Sequence, residues 1–350
     1  MVISLHIHSL EDYYPDENTT EEIPSDGVCE YDHHSALFFP VVYSLLFVVG
    51  VLGNGLVFWV VLAGAKLRSM TDVCLLNLAG ADLLLLGALP FLAHDSGGPW
   101  VFGDAMCKIV LCAYYIGFYS GIFFVTLMSV DRYLAIVHAV YAMRARTRAC
   151  GLVASVAVWI ASVCASLPEI WLVSMTPGKR LECRVDYYGD KKWLIVFGLF
   201  KLNVLGLLVP LAVMGFCYSM ILRRLLSCRL SRRQTVRLVL LVGVVFLCCW
   251  APYNVTSFFK ALEMLLVYTG CESSKAIHRS LKVTAAVAYS HSCLNPIIYV
   301  FVGRKFRRHL SKLVSRVPCV GCQFLKRHFS PAARSTYSQT TSVEERSSGL

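Results

Sequence analysis

Seven stretches of the chain are almost wholly apolar, at residues 36–63, 73–93, 109–137, 151–173, 194–222, 236–261 and 277–302. Each reaches the roughly 20 residues that a helix needs to cross a bilayer core. Lipid offers a backbone no hydrogen-bond partner but itself, so each stretch is predicted to be a membrane-spanning α-helix. Pro90, Pro168, Pro210, Pro252 and Pro296 fall inside these stretches. They would argue against long helices in water, but membrane helices accommodate proline as a kink. The predicted architecture is an all-α seven-helix bundle over residues 36–302. An acidic segment, 1–35, precedes it; a short amphipathic helix, 303–314, and a Ser/Thr-rich tail, 315–350, follow.

Composition agrees: 57% of the residues are hydrophobic and only 16% charged, so much of the apolar excess must face lipid. The net charge of +11 would suit a nucleic-acid partner, but its placement excludes one. Ahead of the first stretch stand Glu11, Asp12, Asp16, Glu17, Glu21, Glu22, Asp26, Glu30 and Asp32, with no Lys or Arg among them. The cations fall in alternate loops: Lys66 and Arg68; Arg144, Arg146 and Arg148; Arg223, Arg224, Arg229, Arg232 and Arg233. Arg304, Lys305, Arg307, Arg308 and Lys312 follow the last stretch. Cationic loops stay cytoplasmic, which predicts an extracellular amino terminus, a cytoplasmic carboxyl terminus and membrane lipid as the surrounding partner. The first residues lack a basic region followed by an apolar core, so the first helix is expected to serve as the insertion signal.

Seven of the 15 cysteines lie within the apolar stretches, where cysteine packs as a small hydrophobe. The four on the outer side, Cys29, Cys107, Cys183 and Cys271, allow three disulfide pairings. Cys319 and Cys322 have no second pair nearby to complete a metal site; just past a basic amphipathic stretch, they are palmitoylation candidates. Polar groups within spans carry a cost that calls for a function or a tie between helices. Asn54, Asp82 and Asn295 are the main set, with Asp82 read as a sodium or proton site bridged to the two asparagines. Asp131-Arg132-Tyr133 closes the third helix, where Arg132 can pair with Asp131 at rest and be released to a cytosolic partner, since a guanidinium serves carboxylate and carbonyl alike. Trp250 with Pro252, and Asn295-Pro296-Ile297-Ile298-Tyr299, are candidate hinges, because proline removes a backbone donor and loosens the helical ladder. No nucleophile–base pair, metal cluster or phosphate loop is apparent, so no catalytic residue is assigned.

In this order, Gly53-Asn54, Leu78-Ala79 with Asp82, Cys107, Asp131-Arg132-Tyr133, Trp159, Pro210 with Tyr218, Cys249-Trp250-Ala251-Pro252 and Asn295 to Tyr299 resemble the rhodopsin-like G-protein-coupled receptors. The likeness runs from the first helix to about Leu313. The loop from Asp131 to Val140, Pro90-Phe91, Trp100 before Gly103, Ser166-Leu167-Pro168 and the run His291 to Pro296 are similar to the CC chemokine receptors. That resemblance implies the pairs Cys107–Cys183 and Cys29–Cys271, a basic chemokine as ligand, and a heterotrimeric G protein of the inhibitory class inside. It also implies an aromatic lining of Tyr43, Tyr114, Tyr115, Trp250 and Tyr253 for the ligand's amino terminus, and a cleft held open by Arg132, Tyr218 and Tyr299. Three positions depart from the common pattern: Ala285 for a glutamate, Leu92 for a tryptophan and Ala88 for a threonine.

The acidic tail suits a basic protein ligand, because opposite charge speeds encounter and a flexible segment can order on binding. Tyr13 and Tyr14, set among carboxylates, are the expected sulfation sites and ligand contacts, with Tyr31 a weaker one. Asn18-Thr19-Thr20 is a glycosylation acceptor, whereas Asn254-Val255-Thr256 fits the pattern but lies within a helix. Ser335, Thr336, Ser338, Thr340, Thr341, Ser342, Ser347 and Ser348 are expected phosphorylation sites, read by the basic face of an arrestin. The rival readings are an atypical scavenging receptor that binds chemokine without G-protein coupling, and a receptor for another peptide.

Overall fold

The computed structural model describes residues 37–65, 67, 69–176, 182–185, 192–227, 233–267, 270–302 and 304–316. These residues form ten α-helices and one β-hairpin. Helix α1 (Phe38–Val60) runs on through a π-helical turn (Val61–Ala65), followed by α2 (Met70–Gly97), α3 (Gly103–Val137), the short α4 (Ala139–Ala145) and α5 (Arg148–Leu172). Strands β1 (Val173–Thr176) and β2 (Glu182–Val185) come next, then α6 (Lys192–Asn203), a second π-helical turn (Val204–Leu208) and α7 (Val209–Ser227). Helices α8 (Arg233–Met264), α9 (Cys271–Val302) and α10 (Arg304–Arg316) complete the chain.

Seven helical units have crossing length among the described residues: α1, α2, α3, α5, the continuous α6–α7 unit, α8 and α9. Six of them are also apolar enough by composition. The exception, α9, begins six residues ahead of the apolar stretch and so adds Glu272 and Lys275 to the Arg279 and Lys282 already within it. Around the bundle the order is α1, α2, α5, α6–α7, α8, α9 and back to α1, with α3 touching α2, α5, α7 and α8 from within. Accordingly 67% of the most apolar part of α3 is buried, against 28% in α1 and 22% in α5, whose other faces are left for lipid.

Local sequence explains the boundaries. The α2 start is closed by a reciprocal cap in which Ser69 accepts from the Asp72 N–H while the Asp72 carboxylate accepts from the Ser69 N–H at 3.2 Å. Pro210 cannot donate a backbone bond to the preceding turn, and the helix widens into the π turn just ahead of it. In α10, Phe306, Leu310 and Leu313 are buried on one stripe while Arg308 and Lys312 face outward.

The all-α expectation needs one amendment. Residue 173, expected to end the fourth helix, opens β1, and β1 pairs antiparallel with β2 in the register Val173↔Val185 to Thr176↔Glu182. A disulfide joins Cys183 of β2 to Cys107 in the first turns of α3, which draws the hairpin onto the bundle end.

Helices α2 and α3 meet closely at Gly117, where a Cβ would stand 2.7 Å from Leu85 N and 2.9 Å from Ala81 O. Those are backbone atoms and cannot turn aside. Gly117→Ala is therefore expected to cost about 1–3 kcal/mol, the usual scale of overpacking, read as a lower thermal midpoint. An unchanged midpoint would show that the two helices can separate freely.

Candidate functional site

The end of the bundle opposite the hairpin is organised around one carboxylate. Asp131 is fully buried and pairs with Arg132 at 2.9 Å, as its adjacency suggests. A second guanidinium, that of Arg146, donates to the same carboxylate from the α4–α5 junction at 2.6 and 3.0 Å. The Thr71 hydroxyl donates to Asp131 Oδ2 at 2.8 Å and in turn accepts from Arg132 and, at 3.1 Å, from Arg146. Tyr133 turns away from this cluster, its hydroxyl 3.0 Å from His138 Nε2 and its ring against Phe216. Tyr218 of α7 reaches back to α3, its hydroxyl 2.8 Å from Ser129 Oγ, and leans on Gly243 of α8. The buried Tyr299 hydroxyl has no hydrogen-bond partner among the described residues.

Higher in the bundle, Asn295 donates to Asp82 Oδ2 at 3.0 Å. The expected second bridge is corrected here: Asn54 donates instead to the backbone oxygens of Gly50 and Ser292, both at 2.9 Å, which ties α1 to α9. Pro296 frees no donor of its own, and its ring lies 3.0 Å from where a Gly53 Cβ would stand, so α1 and α9 also touch at the candidate hinge.

Between this core and the hairpin lies a continuous aromatic cluster. The buried Tyr43, Tyr114, Tyr115, Trp250 and Tyr253 do converge, but through two rings missed in the sequence reading, Tyr289 and Phe118. Tyr289 lies 5.7 Å from the Tyr43 ring and donates to the Tyr114 hydroxyl at 3.2 Å. Tyr114 packs on Tyr115 and Phe118, Phe118 meets Trp250 edge-on at 4.8 Å, and Trp250 adjoins Tyr253. Pro252 lies between those last two in α8. Tyr119 continues the cluster sideways to a buried ion pair between helices: Lys201 of α6 holds Glu169 of α5 at 2.5 Å. A lone lysine and a lone glutamate in apolar stretches were the available signal for this pair.

Cys271 is disulfide-bonded, while its expected partner Cys29 lies outside the described residues. The same holds for Tyr13, Tyr14, Asn18, Cys319, Cys322 and the tail sites Ser335, Thr336, Ser338, Thr340, Thr341 and Ser342.

A central helix that ends in a paired aspartate and arginine is ringed by six others, with an aromatic core toward the opposite end, the arrangement of a seven-helix membrane receptor. The family model described as 7 transmembrane receptor (rhodopsin family) matches residues 53–299, and the chain belongs to that family, within its C-C chemokine receptor group. It is 41% identical over 337 residues to human C-C chemokine receptor type 4, covering 94% of this chain and 92% of the relative. Its identity to mouse C-C chemokine receptor type 8 is also 41%, over 348 residues, with 95% and 96% covered. These are signalling receptors and not enzymes.

Proposed function

We propose that this chain is a plasma-membrane receptor that binds basic chemokines on the hairpin side and activates a heterotrimeric G protein, of the inhibitory class, on the Asp131 side. One observation carries the reading: a chain 41% identical along its length to two C-C chemokine receptors holds an Asp131–Arg132 pair at the bundle end opposite the hairpin. The hairpin end faces outward, in line with the acidic segment before α1 and the cations Arg144, Arg146 and Arg148 around the α4–α5 junction. The chemokine body docks on the acidic, tyrosine-sulfated segment and the hairpin. Its flexible end then reaches the aromatic cluster and shifts α8 and α9 about Pro252 and Pro296.

The shift can be driven only by a ligand that favours the signalling arrangement over the resting one. Arg132, Tyr218 and Tyr299 then face the alpha subunit, and tail phosphorylation recruits arrestin. Asp82 with the buried, unpartnered Asn295 Oδ1 fits a monovalent cation, whose charge would hold that carboxylate in the closed arrangement. Cells expressing the chain, screened against a panel of chemokines, are expected to mobilise calcium and lower cyclic AMP with at least one. Uptake of chemokine without either response would identify a scavenger instead, and no binding at all would sink the chemokine reading.

A further inference from the structure

Asp131 holds two guanidinium groups, but it does not hold them alike. Arg146 engages both carboxylate oxygens, Nε to Oδ1 at 2.6 Å and Nη2 to Oδ2 at 3.0 Å, the forked geometry in which arginine binds carboxylate most firmly. Arg132 reaches Oδ2 alone, at 2.9 Å, and that oxygen already accepts from Thr71 and Arg146. Arg146 is also fixed in place. Its backbone N–H donates to Ala142 O at 3.0 Å to end α4, and the next residue, Thr147, accepts from Cys150 N at 3.2 Å to begin α5.

A buried carboxylate left without a cation carries a heavy desolvation penalty, so a switch in which Arg132 was the sole partner of Asp131 would resist opening. The geometry points to Arg146 as the positioning residue that makes Arg132 detachable. It stays on Asp131 as a standing counter-cation, and its like charge beside Arg132 loosens the weaker of the two pairs. When Arg132 departs, Asp131 keeps two charge-assisted bonds from Arg146 and one from Thr71, and nothing buried is left uncompensated. This rests on the reading above that Arg132 is released toward a G protein.

The test uses membranes carrying the full chain and a purified inhibitory-class heterotrimer, with basal nucleotide exchange as the readout and no ligand added. Arg146→Ala is expected to lower exchange about tenfold or more, the scale of losing hydrogen bonds to a charged group. With Asp131→Asn already present there is no charge to compensate, and the same substitution should change little. Arg146→Lys keeps the cation but loses the fork, so its exchange should fall between the parent and the alanine variant, which preserves the test if the alanine variant fails to fold. Spin labels at the inner ends of α3 and α8 should report a population shifted toward the closed separation in Arg146→Ala.

Higher exchange in Arg146→Ala would make Arg146 a lock and overturn the proposal. So would an equal loss in the Asp131→Asn background, which would mean a direct contact with the alpha subunit, or a lysine variant as impaired as the alanine one. The spin-label distances need no alpha subunit, so a receptor that couples to none would count against the preceding reading while these distances still judge Arg146.

Discussion

Lys201→Met is expected to lower the stability of the bundle by about 3–5 kcal/mol, the usual consequence of removing one member of a buried ion pair. Lys201 holds Glu169 at 2.5 Å, donates also to Ala165 O, and lies over the Tyr119 ring with its Nζ 5.3 Å from the centroid. Both side chains are about nine-tenths buried, at 10% exposure each. Without the ammonium, Glu169 loses its cation and keeps, from the neighbouring ring, a long 3.4 Å contact with the Tyr119 hydroxyl. The double variant Lys201→Met with Glu169→Leu removes both charges and should recover most of the loss, because a well-packed apolar pair often matches a buried salt bridge. Thermal unfolding can be followed with a thiol-reactive dye, as Cys74, Cys217, Cys249 and Cys293 are free and buried until it opens, above the initial signal of the exposed Cys150, Cys164 and Cys248. A single variant that melts with the parent would mean that Glu169 finds water or another donor, and that the pair holds nothing together.

Arg132→Ala is expected to abolish G-protein activation, with a loss of about a hundredfold or more, the scale of deleting a central arginine anchor from an interface. Chemokine binding should change by less than about threefold, since Arg132 stands at the opposite end of the bundle from the hairpin and the aromatic cluster. Folding should survive as well. Asp131 still has the Arg146 fork and the Thr71 hydroxyl when Arg132 is gone. Nucleotide exchange measured beside radioligand binding on the same membranes separates the two effects, and exchange that persists in the variant would remove Arg132 from the role assigned to it.

Much of the bundle was legible because lipid forces a simple rule on the chain: a run of apolar residues long enough to cross must be a helix. The helices overrun the apolar stretches at their ends, as α9 does by starting at Cys271, because charged residues there can remain helical beyond the core. The hairpin was not legible. Its strands are four residues each and are held by a disulfide to α3, a contact distant in sequence. Asp131 and Arg132 were legible as neighbours in a helix. Arg146 was not, since Arg144 and Arg148 flank it in the same basic loop and nothing in their spacing says which one meets a carboxylate on α3. The bridge from Asn54 to Asp82 failed for a related reason: a shared polar character does not fix which acceptor an amide will find, and the Gly50 and Ser292 carbonyls stand closer to hand.

The chain by itself determined the number of crossings, the residues too polar to lie in them without a role, and the prolines about which helices can bend. These follow from solvation and backbone chemistry, which act on each segment separately. Only the tertiary structure decided which polar groups meet: Arg146 with Asp131, Lys201 with Glu169, Tyr289 with Tyr114. Such meetings depend on the rotation and depth of each helix against its neighbours. Those are set by close approaches such as Gly117 on the Leu85 backbone, where the absence of a side chain on one helix fixes how far the next can turn.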